Sequence, residues 1–374
     1  MNVSYWEKNS LLKAEVGIVG GGIVGLSVAA SLKEQNPECD VVVFERGLLP
    51  TGASTRNAGF ACFGSYTELL SDMEVMGEDR ARDLLFHRWL GLKITRQRLE
   101  KFDVGFEKNG GFELLDSTVE LVDDELVHAN VLVEDFLPNY FTHATQRKEE
   151  LGIRGEGQLI QMAQEGSIDT GKLMLALENY VRSLGVRFIN GAEVRSVDET
   201  GKKVRLTLSG ADERLIDFDV EQCVIATNAF TNLISTPETI EPGRGQVFIT
   251  KPIDQLQFKG NLHMEEGFYY LRNVQNRLLF GGGRNLDFDH ENTTNFALNG
   301  DIQHILEGKL HRIFGADFQF EIDMRWSGIM CFGKTKEPLM YQHSSNVFVA
   351  CKMGGMGIAL AGHIGEEMAQ LIKR

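Results

Sequence analysis

The sequence predicts a protein that is α/β in one part and α+β in the other: a parallel-sheet domain flanked by helices, joined to a mostly antiparallel-sheet domain. Three observations predict it. A β-branched run, a glycine turn and a helix open the chain and lead into a second apolar strand. The same succession of strand, glycine loop and helix returns at 347–372. Between them, from 245 to 325, short runs separated by turns read as antiparallel strands with one helix. A length of 374 residues is enough for two or three domain-sized cores.

The opening unit is the most informative. Glu15 to Val19 (EVGIV) is short and apolar, Gly20-Gly21-Gly22-Ile23-Val24-Gly25 follows, and Leu26 to Gln35 reads as a helix. After Pro37 the chain returns as Asp40 to Phe44 (DVVVF), a continuous apolar run of the kind buried on both faces of a parallel sheet, and ends at Glu45. Gly20 permits the tight turn, Gly22 lets a pyrophosphate approach the backbone, and Gly25 lets helix and strand pack closely. Free N–H groups and the positive end of the helix dipole receive the anion. Glu45, twenty residues past Gly25, is spaced to accept hydrogen bonds from ribose hydroxyls. A Rossmann-like, dinucleotide-binding domain is therefore expected, with NAD and FAD both open at this point.

Pro50 to Ser65 is rich in Gly, Ala, Ser and Asn around one cation, Arg56, and such a loop can lie flat against a ligand. Glu78 to Phe102 reads as a long amphipathic helix, Gly111 to Val122 as β structure, Glu134 to Phe136 as a short helix, and the charged stretch Thr142 to Gly157 as a crossing between domains. Asp169-Thr170 caps a helix Leu173 to Leu184, and Val186 to Ile189 and Glu193 to Val197 read as strands. Alternation at Val204, Leu206 and Leu208 gives a small meander that leads into a buried strand, Cys223 to Ala226. Gln246 to Thr250, Gly267 to Arg272 and Arg277 to Gly281 read as antiparallel strands, followed by a helix Asp301 to Phe314 and a strand Phe318 to Trp326. Val347 to Cys351, the loop Lys352 to Gly357 and the apolar helix Ile358 to Ile372 return the chain to the parallel sheet.

Composition excludes several classes. With 53 acidic against 38 basic residues, the net charge of −15 repels a phosphate backbone, so nucleic acid is not an expected partner. Val16 to Ala30 contains five glycines and is too short to span a bilayer, and the N-terminus has no apolar signal core. No transmembrane segment and a cytoplasmic location are expected. Five cysteines without a CxxC pair or ligand-like spacing support neither a disulfide framework nor a metal site.

At this point the residues resemble the D-amino acid oxidase superfamily of FAD-dependent oxidoreductases, which includes glycine oxidase and sarcosine oxidase. The resemblance covers nearly the whole chain: VGGGIVGL with Glu45, GASTRNAGF, SIDTGKLMLAL, CVIATNAF, PGRGQVFIT, RLLFGGG, RWSGI and GGMGIALAGHIGEEMAQLI. It implies that Gly20, Gly22 and Gly25 hold the FAD pyrophosphate, with Gly21, Ile23 and Val24 in the same turn. Glu45 would take the adenosine ribose, with Arg46 beside it, and Val194 would meet adenine. Ser54, Thr55, Arg56, Asn57, Ala58 and Gly59 would lie along the stretch from pyrophosphate to flavin, and Ala226 and Thr227 near the phosphates. Gly354, Gly355, Met356, Gly357 and Ile358 would wrap the pyrimidine edge of the flavin, where a helix N-terminus stabilises charge that develops on reduction. The implied domains are an FAD-binding domain over 1–95, 151–235 and 326–374 and a substrate-binding domain over 96–150 and 236–325.

Substrate recognition departs from the family pattern. Where glycine oxidase-like members carry a carboxylate-binding arginine after RWSGI, this chain has Met330 and Cys331, and the lysine of sarcosine oxidase-like members is replaced within Gly357-Ile358-Ala359. Among the remaining cations Arg272 ranks first, ahead of Arg284 and Arg325. Tyr269 and Tyr270 alternate faces of one strand, so one of them can face the substrate. Cys331 lies near a position where some relatives attach flavin covalently, and no catalytic residue stands out. The resemblance implies oxidation of a C–N bond in an amine or amino acid by hydride transfer to flavin N5, giving an imine, with dioxygen or another acceptor taking the electrons. The N-terminal SYWEK resembles that of members acting on γ-glutamylated polyamines. The alternatives are oxidation of a 2-hydroxy acid or polyol, or a non-catalytic FAD-binding redox sensor.

Overall fold

The computed structural model describes residues 3–119, 121–210, 214–234 and 240–372. The apolar runs at Lys13–Val19, Val41–Glu45 and Val347–Cys351 form adjacent or near-adjacent strands of one eight-stranded sheet. Its order runs Leu339–Gln342, Val347–Cys351, Leu215–Ile225, Lys13–Val19, Val41–Glu45, Arg187–Asn190. The five strands from Val347–Cys351 to Arg187–Asn190 are parallel to one another, and Leu339–Gln342 is antiparallel at the edge. Leu215–Ile225 serves two purposes: its later residues pair in parallel with Lys13–Val19, and its earlier ones pair antiparallel with Lys203–Ser209 in the meander. All five residues of Val41–Glu45 are buried, as expected for a strand covered on both faces.

Three helices pack against one another through backbone approaches that only glycine allows. A Cβ on Gly91 of Glu78–Arg98 would lie 2.2 Å from the Ala359 carbonyl, one on Gly362 2.3 Å from the Gly91 carbonyl, and one on Gly365 2.5 Å from the Ser27 carbonyl. The closing helix Gly357–Ile372 is thereby clamped between Glu78–Arg98 and Ile23–Gln35, which fixes where its N-terminus points.

The second sheet also has eight strands, in the order Ile322–Phe332, Glu241–Thr250, Arg277–Gly282, Tyr269–Val274, Asn261–Met264, Gly111–Leu114, Leu159–Met162, Phe141–His143. Every pair is antiparallel except Asn261–Met264 with Gly111–Leu114. Its apolar face, including Phe112, Phe248, Leu271 and Phe280, buries Ile302, Leu306 and Leu310 of the helix Gly300–Phe314.

Several sequence expectations are corrected. The helix expected at Glu134 to Phe136 is instead Asp123–Val133, which starts on three acids that favour the positive helix end and buries Leu126, Ala129 and Val133. Among the described residues, the β structure expected over Gly111 to Val122 is limited to Gly111–Leu114. A helix at Tyr66–Met76 precedes Glu78–Arg98 and was not anticipated. The strand expected over Phe318 to Trp326 lies at Ile322–Phe332, because its pairing with Glu241–Thr250 continues to Phe332. Leu159–Met162, expected in the cofactor-binding part, is a strand of the second sheet, and Ile322–Phe332 runs across the boundary expected at 326. Among the described residues no helix is long and apolar enough to cross a membrane.

Candidate functional site

The first glycine turn is built as its spacing demands. Gly20, at φ +111°, donates to the Phe44 carbonyl at 2.8 Å, and a Cβ there would meet the Ala226 carbonyl at 2.6 Å. A Cβ on Gly25 would lie 2.0 Å from the Gly20 carbonyl, so this residue sets how closely helix and strand approach. Glu45 accepts from the Gly21 amide at 3.1 Å through one oxygen and from the Gly47 amide at 2.9 Å through the other. Its carboxylate is thus fixed, with lone pairs left for a ligand.

The small-residue loop folds over the start of the first helix. Ser54 Oγ accepts from the Ile23 amide at 3.0 Å, Asn57 donates to the Ala53 and Ser54 carbonyls, and the Gly59 amide donates to Asn57 Oδ1. Thr55 turns its hydroxyl to the Pro50 carbonyl. Arg56 donates to the Thr51 and Ser327 carbonyls, and its own carbonyl accepts from the Trp326 indole, which ties the loop to the second sheet.

The closing loop meets the opening one. Gly354 and Gly355 take φ of +55° and +84°, and the Gly354 amide donates to the Cys331 carbonyl. A Cβ built on Gly357 would lie 3.6 Å from Ile23 Cγ2. Two helix N-termini from opposite ends of the chain therefore stand side by side.

Both border one cavity of about 790 Å³. One group of lining residues is Gly20, Gly22, Ile23, Val24, Glu45, Arg46, Val194, Ala226 and Thr227; a second is Ser54, Arg56, Asn57, Ala58 and Gly59; a third is Gly354, Gly355, Met356, Gly357 and Ile358. Gly21, Gly25 and Thr55 support the wall from behind. A cavity of this volume, with two dipole ends, a fixed carboxylate and a glycine face at Gly22 that a Cβ would occupy, fits an elongated dinucleotide.

The substrate candidates separate. Tyr270 and Met330 line the cavity, and burial pushes the Tyr270 phenol well above its ordinary pKa. Tyr269, one residue away, faces the opposite core with Lys309 over its ring at 3.9 Å. Arg272 is corrected as a substrate anchor. It is buried, and its Nη1 donates to the carbonyls of Gly59 (2.6 Å), Ile168 (2.8 Å) and Ala58 (3.2 Å), so it staples the loop in place. Burial lowers its pKa to about 10. Arg325 is committed to Gln303 and Glu307. Cys331 is also off the cavity: its thiol is buried beside Cys351, whose hydrogen bond, with burial, pushes the Cys331 pKa upward.

Sequence reasoning missed a polar wall. Glu68 and Asp72, one turn apart on Tyr66–Met76, line the cavity with Lys336, which lies 3.3 and 3.1 Å from them, and with His263. Arg88, completely buried, lies 3.1 Å from Glu68. Burial works to raise the Glu68 pKa, but Lys336, then Arg88 and His263, hold it at about 2. Burial raises Asp72. Burial works to lower His263, but Glu165 at 3.0 Å outweighs it and raises the imidazole. Cys62, Glu165 and His263 lie within metal-ligand reach of one another, yet Glu165 already accepts from Tyr140, the Phe63 amide and His263, and burial pushes the Cys62 thiol well up. The one local signal for this wall was the i, i+4 spacing of Glu68 and Asp72.

The FAD dependent oxidoreductase family, DAO, matches residues 15–371, and the chain belongs to that family: it is an FAD-dependent oxidoreductase. Among curated relatives it is 25% identical to the gamma-glutamylputrescine oxidoreductase of Escherichia coli, over 98% of this chain and 85% of that protein. It is 24% identical to the probable oxidoreductase OrdL of Haemophilus influenzae, over 96% and 83%. In fold it is similar to the L-proline dehydrogenase of P. horikoshii (TM-score 0.77, 18% identity, 96% of this chain and 93% of that one). The glycine oxidase of Geobacillus kaustophilus is comparable (TM-score 0.75, 21% identity, 97% and 95%).

Proposed function

We propose that this protein oxidises the C–N bond of an amine or amino acid. The C–H beside nitrogen gives up a hydride, the nitrogen lone pair forms the C=N bond of an imine, and water hydrolyses the imine to a carbonyl compound and a free amine or ammonia. FAD, when bound, supplies the two-electron acceptor, which dioxygen or another oxidant later restores. The convergence of the two helix N-termini on one cavity carries this reading, because it provides for a ligand with a pyrophosphate and for a ring system that gains negative charge.

The chain's own residues orient and shield. The small loop around Ser54–Gly59, held by Arg272, offers a flat backbone wall. Phe60, Tyr270 and Met330 line the part of the cavity beside Gly245 and exclude water from the reacting carbon. With its pKa raised, the Tyr270 phenol keeps its proton at neutral pH and acts as a hydrogen-bond donor rather than a base. Glu165 at 3.0 Å engages His263 Nε2 and raises its imidazole, so His263 is assigned no proton-accepting role and the substrate reacts as the neutral amine. Gamma-glutamylputrescine oxidoreductase and 4-methylaminobutanoate oxidase among the relatives support the choice of amines, as do glycine oxidase and L-amino acid deaminase among the structural neighbours.

The test is anaerobic bleaching of the yellow holoenzyme by a panel of amines, amino acids and 2-hydroxy acids, followed by oxygen uptake with each hit. Bleaching by amines supports the proposal. Bleaching by hydroxy acids alone reassigns the reaction, and a flavin reduced by none of them reassigns the protein as a redox sensor.

A further inference from the structure

Five lysine or arginine side chains line the cavity: Arg46, Arg56, Arg284, Lys334 and Lys336. Lys336 is neutralised by Glu68 and Asp72, Arg56 is spent on two backbone carbonyls, Arg46 lies over the Phe230 ring next to Glu45, and Lys334 is exposed to solvent. Arg284 differs from all four. It follows the Arg277–Gly282 strand, is half-buried, and among the described residues lies within ion-pair distance of no carboxylate. Its Nε is buried without a hydrogen-bond partner, while Nη2 donates to Asn292 Oδ1. The buried carboxylate nearby, Glu291, is already held by Arg244 at 2.7 and 2.9 Å and by Gln246 and Asn299.

The guanidinium is nevertheless held in place. It sits 4.8 Å from the Phe288 ring centre and 4.2 Å from that of Phe332. The facing strand gives up a side chain to seat it: a Cβ on Gly243 would lie 2.4 Å from the Phe332 ring and 2.6 Å from Arg284 Nε. Two residues along the same strand face, a Cβ on Gly245 would lie 2.9 Å from the Met330 methyl and 3.4 Å from the Tyr270 hydroxyl. Arg284 and Tyr270 thus flank one glycine floor, at positions about 7 Å apart by the strand repeat. A half-buried cation that lines the cavity, packed against two rings and within ion-pair distance of no carboxylate among the described residues, matches the planar oxygen pair of a carboxylate.

We propose that Arg284 is the carboxylate anchor of the substrate site, with the Tyr270 hydroxyl as second donor, and that the substrate is an amine that also carries a carboxylate. This rests on the reading of the cavity as the site of amine oxidation. The anchor therefore comes from the strand end beside Gly243, where the sequence offers Met330 and Cys331 at the position that resembles the family's usual one.

The probe is benzoate, with benzamide as the uncharged control, titrated into the holoenzyme at constant ionic strength and read by the shift of the flavin visible band. Benzoate should give a saturable shift whose Kd rises at least about 30-fold in Arg284→Met and less in Arg284→Lys, with FAD affinity unchanged. Equal binding of benzoate by wild type and Arg284→Met, or of benzamide and benzoate by wild type, overturns the anchor. Loss of FAD in both variants reassigns Arg284 to the cofactor and overturns it too. The chemistry is separated by comparing flavin reduction by amino acids and by the corresponding decarboxylated amines. Equal rates for both overturn the anchor and leave amine oxidation standing. Reduction by neither, with Arg284-dependent benzoate binding intact, overturns the reaction and leaves the anchor.

Discussion

Replacing Gly22 by alanine separates the cofactor cradle from the fold that carries it. The backbone at Gly22 has φ −75° and ψ 178°, which alanine adopts freely. Its Cβ would meet Ser54 Oγ at 3.0 Å and no other heavy atom within 4 Å. The worst consequence for the free protein is the hydrogen bond from the Ile23 amide to that hydroxyl, about 1 kcal/mol. The loss of glycine's freedom in the unfolded chain offsets about 0.4–1 kcal/mol of this. The Tm of the apoprotein should therefore move by no more than about 3 °C. FAD affinity should fall at least about tenfold, near 1.4 kcal/mol, because the methyl group stands where a pyrophosphate must approach the amides. Gly25→Ala is the contrasting control: its Cβ would sit 2.0 Å from the Gly20 carbonyl, which cannot yield, so the fold itself should lose about 1–3 kcal/mol or more. Apoprotein melts and titration by quenching of flavin fluorescence provide the two readings. A Gly22→Ala protein that binds FAD with wild-type affinity would refute the placement of the cofactor at this turn.

Three further outcomes follow from buried charge. Glu68→Gln leaves the wholly buried Arg88 without its carboxylate and should cost about 3–5 kcal/mol at pH 7, read by urea unfolding. Because the folded pKa of Glu68 is depressed to about 2, its contribution is present above the unfolded value near 4.5 and is lost as pH falls toward 2; the variant's stability should change less over that interval. Arg272→Met removes three donations to the carbonyls of Ala58, Gly59 and Ile168. It should lower stability by about 2–4 kcal/mol, and stopped-flow release should show faster loss of FAD. His363, stacked on His87 at 4.3 Å, is held at about 4 by burial and by that neighbour. Its folded pKa lies below the unfolded value near 6.5, so wild-type Tm should fall as pH drops from 6.5 to 4, and His363→Phe should flatten that slope.

What was legible in the sequence was local. The glycine turn, the apolar strand ending on Glu45 and the cap at Asp169, whose side chain accepts from the Lys172 amide, are written in consecutive residues. The sequence placed one of Tyr269 and Tyr270 in the site, and strand alternation delivered that division. The same alternation explains the failure at Arg272. It shares a strand face with Tyr270, but two residues further along that face lies under the loop carbonyls rather than at the cavity, and no local pattern reports where a loop crosses a strand. Glu68, Asp72 and Lys336 were out of reach for the same reason, and Arg284, named among the candidate cations, was ranked below Arg272 because of it. Their roles are set by pairings between distant segments, and Arg284 differs from other arginines through what does not pair with it.

The Glu241–Thr250 and Ile322–Phe332 strands are bonded to each other along their whole length, and they pass from one hydrophobic core into the other: Phe248 lies in the second-sheet core, Ile329 and Cys331 in a core beside the parallel sheet. Because the paired strands cross between the cores together, a change in the angle between the lobes must bend both at once while their ten paired residues stay joined. The short helical stretch that carries Arg284, Phe288 and Asn292 borders the cavity beside this seam, and its Phe288 stands part-exposed against Phe268. The seam thereby links the spacing of Gly243 and Gly245 from Arg284 and Tyr270 to the packing of both cores.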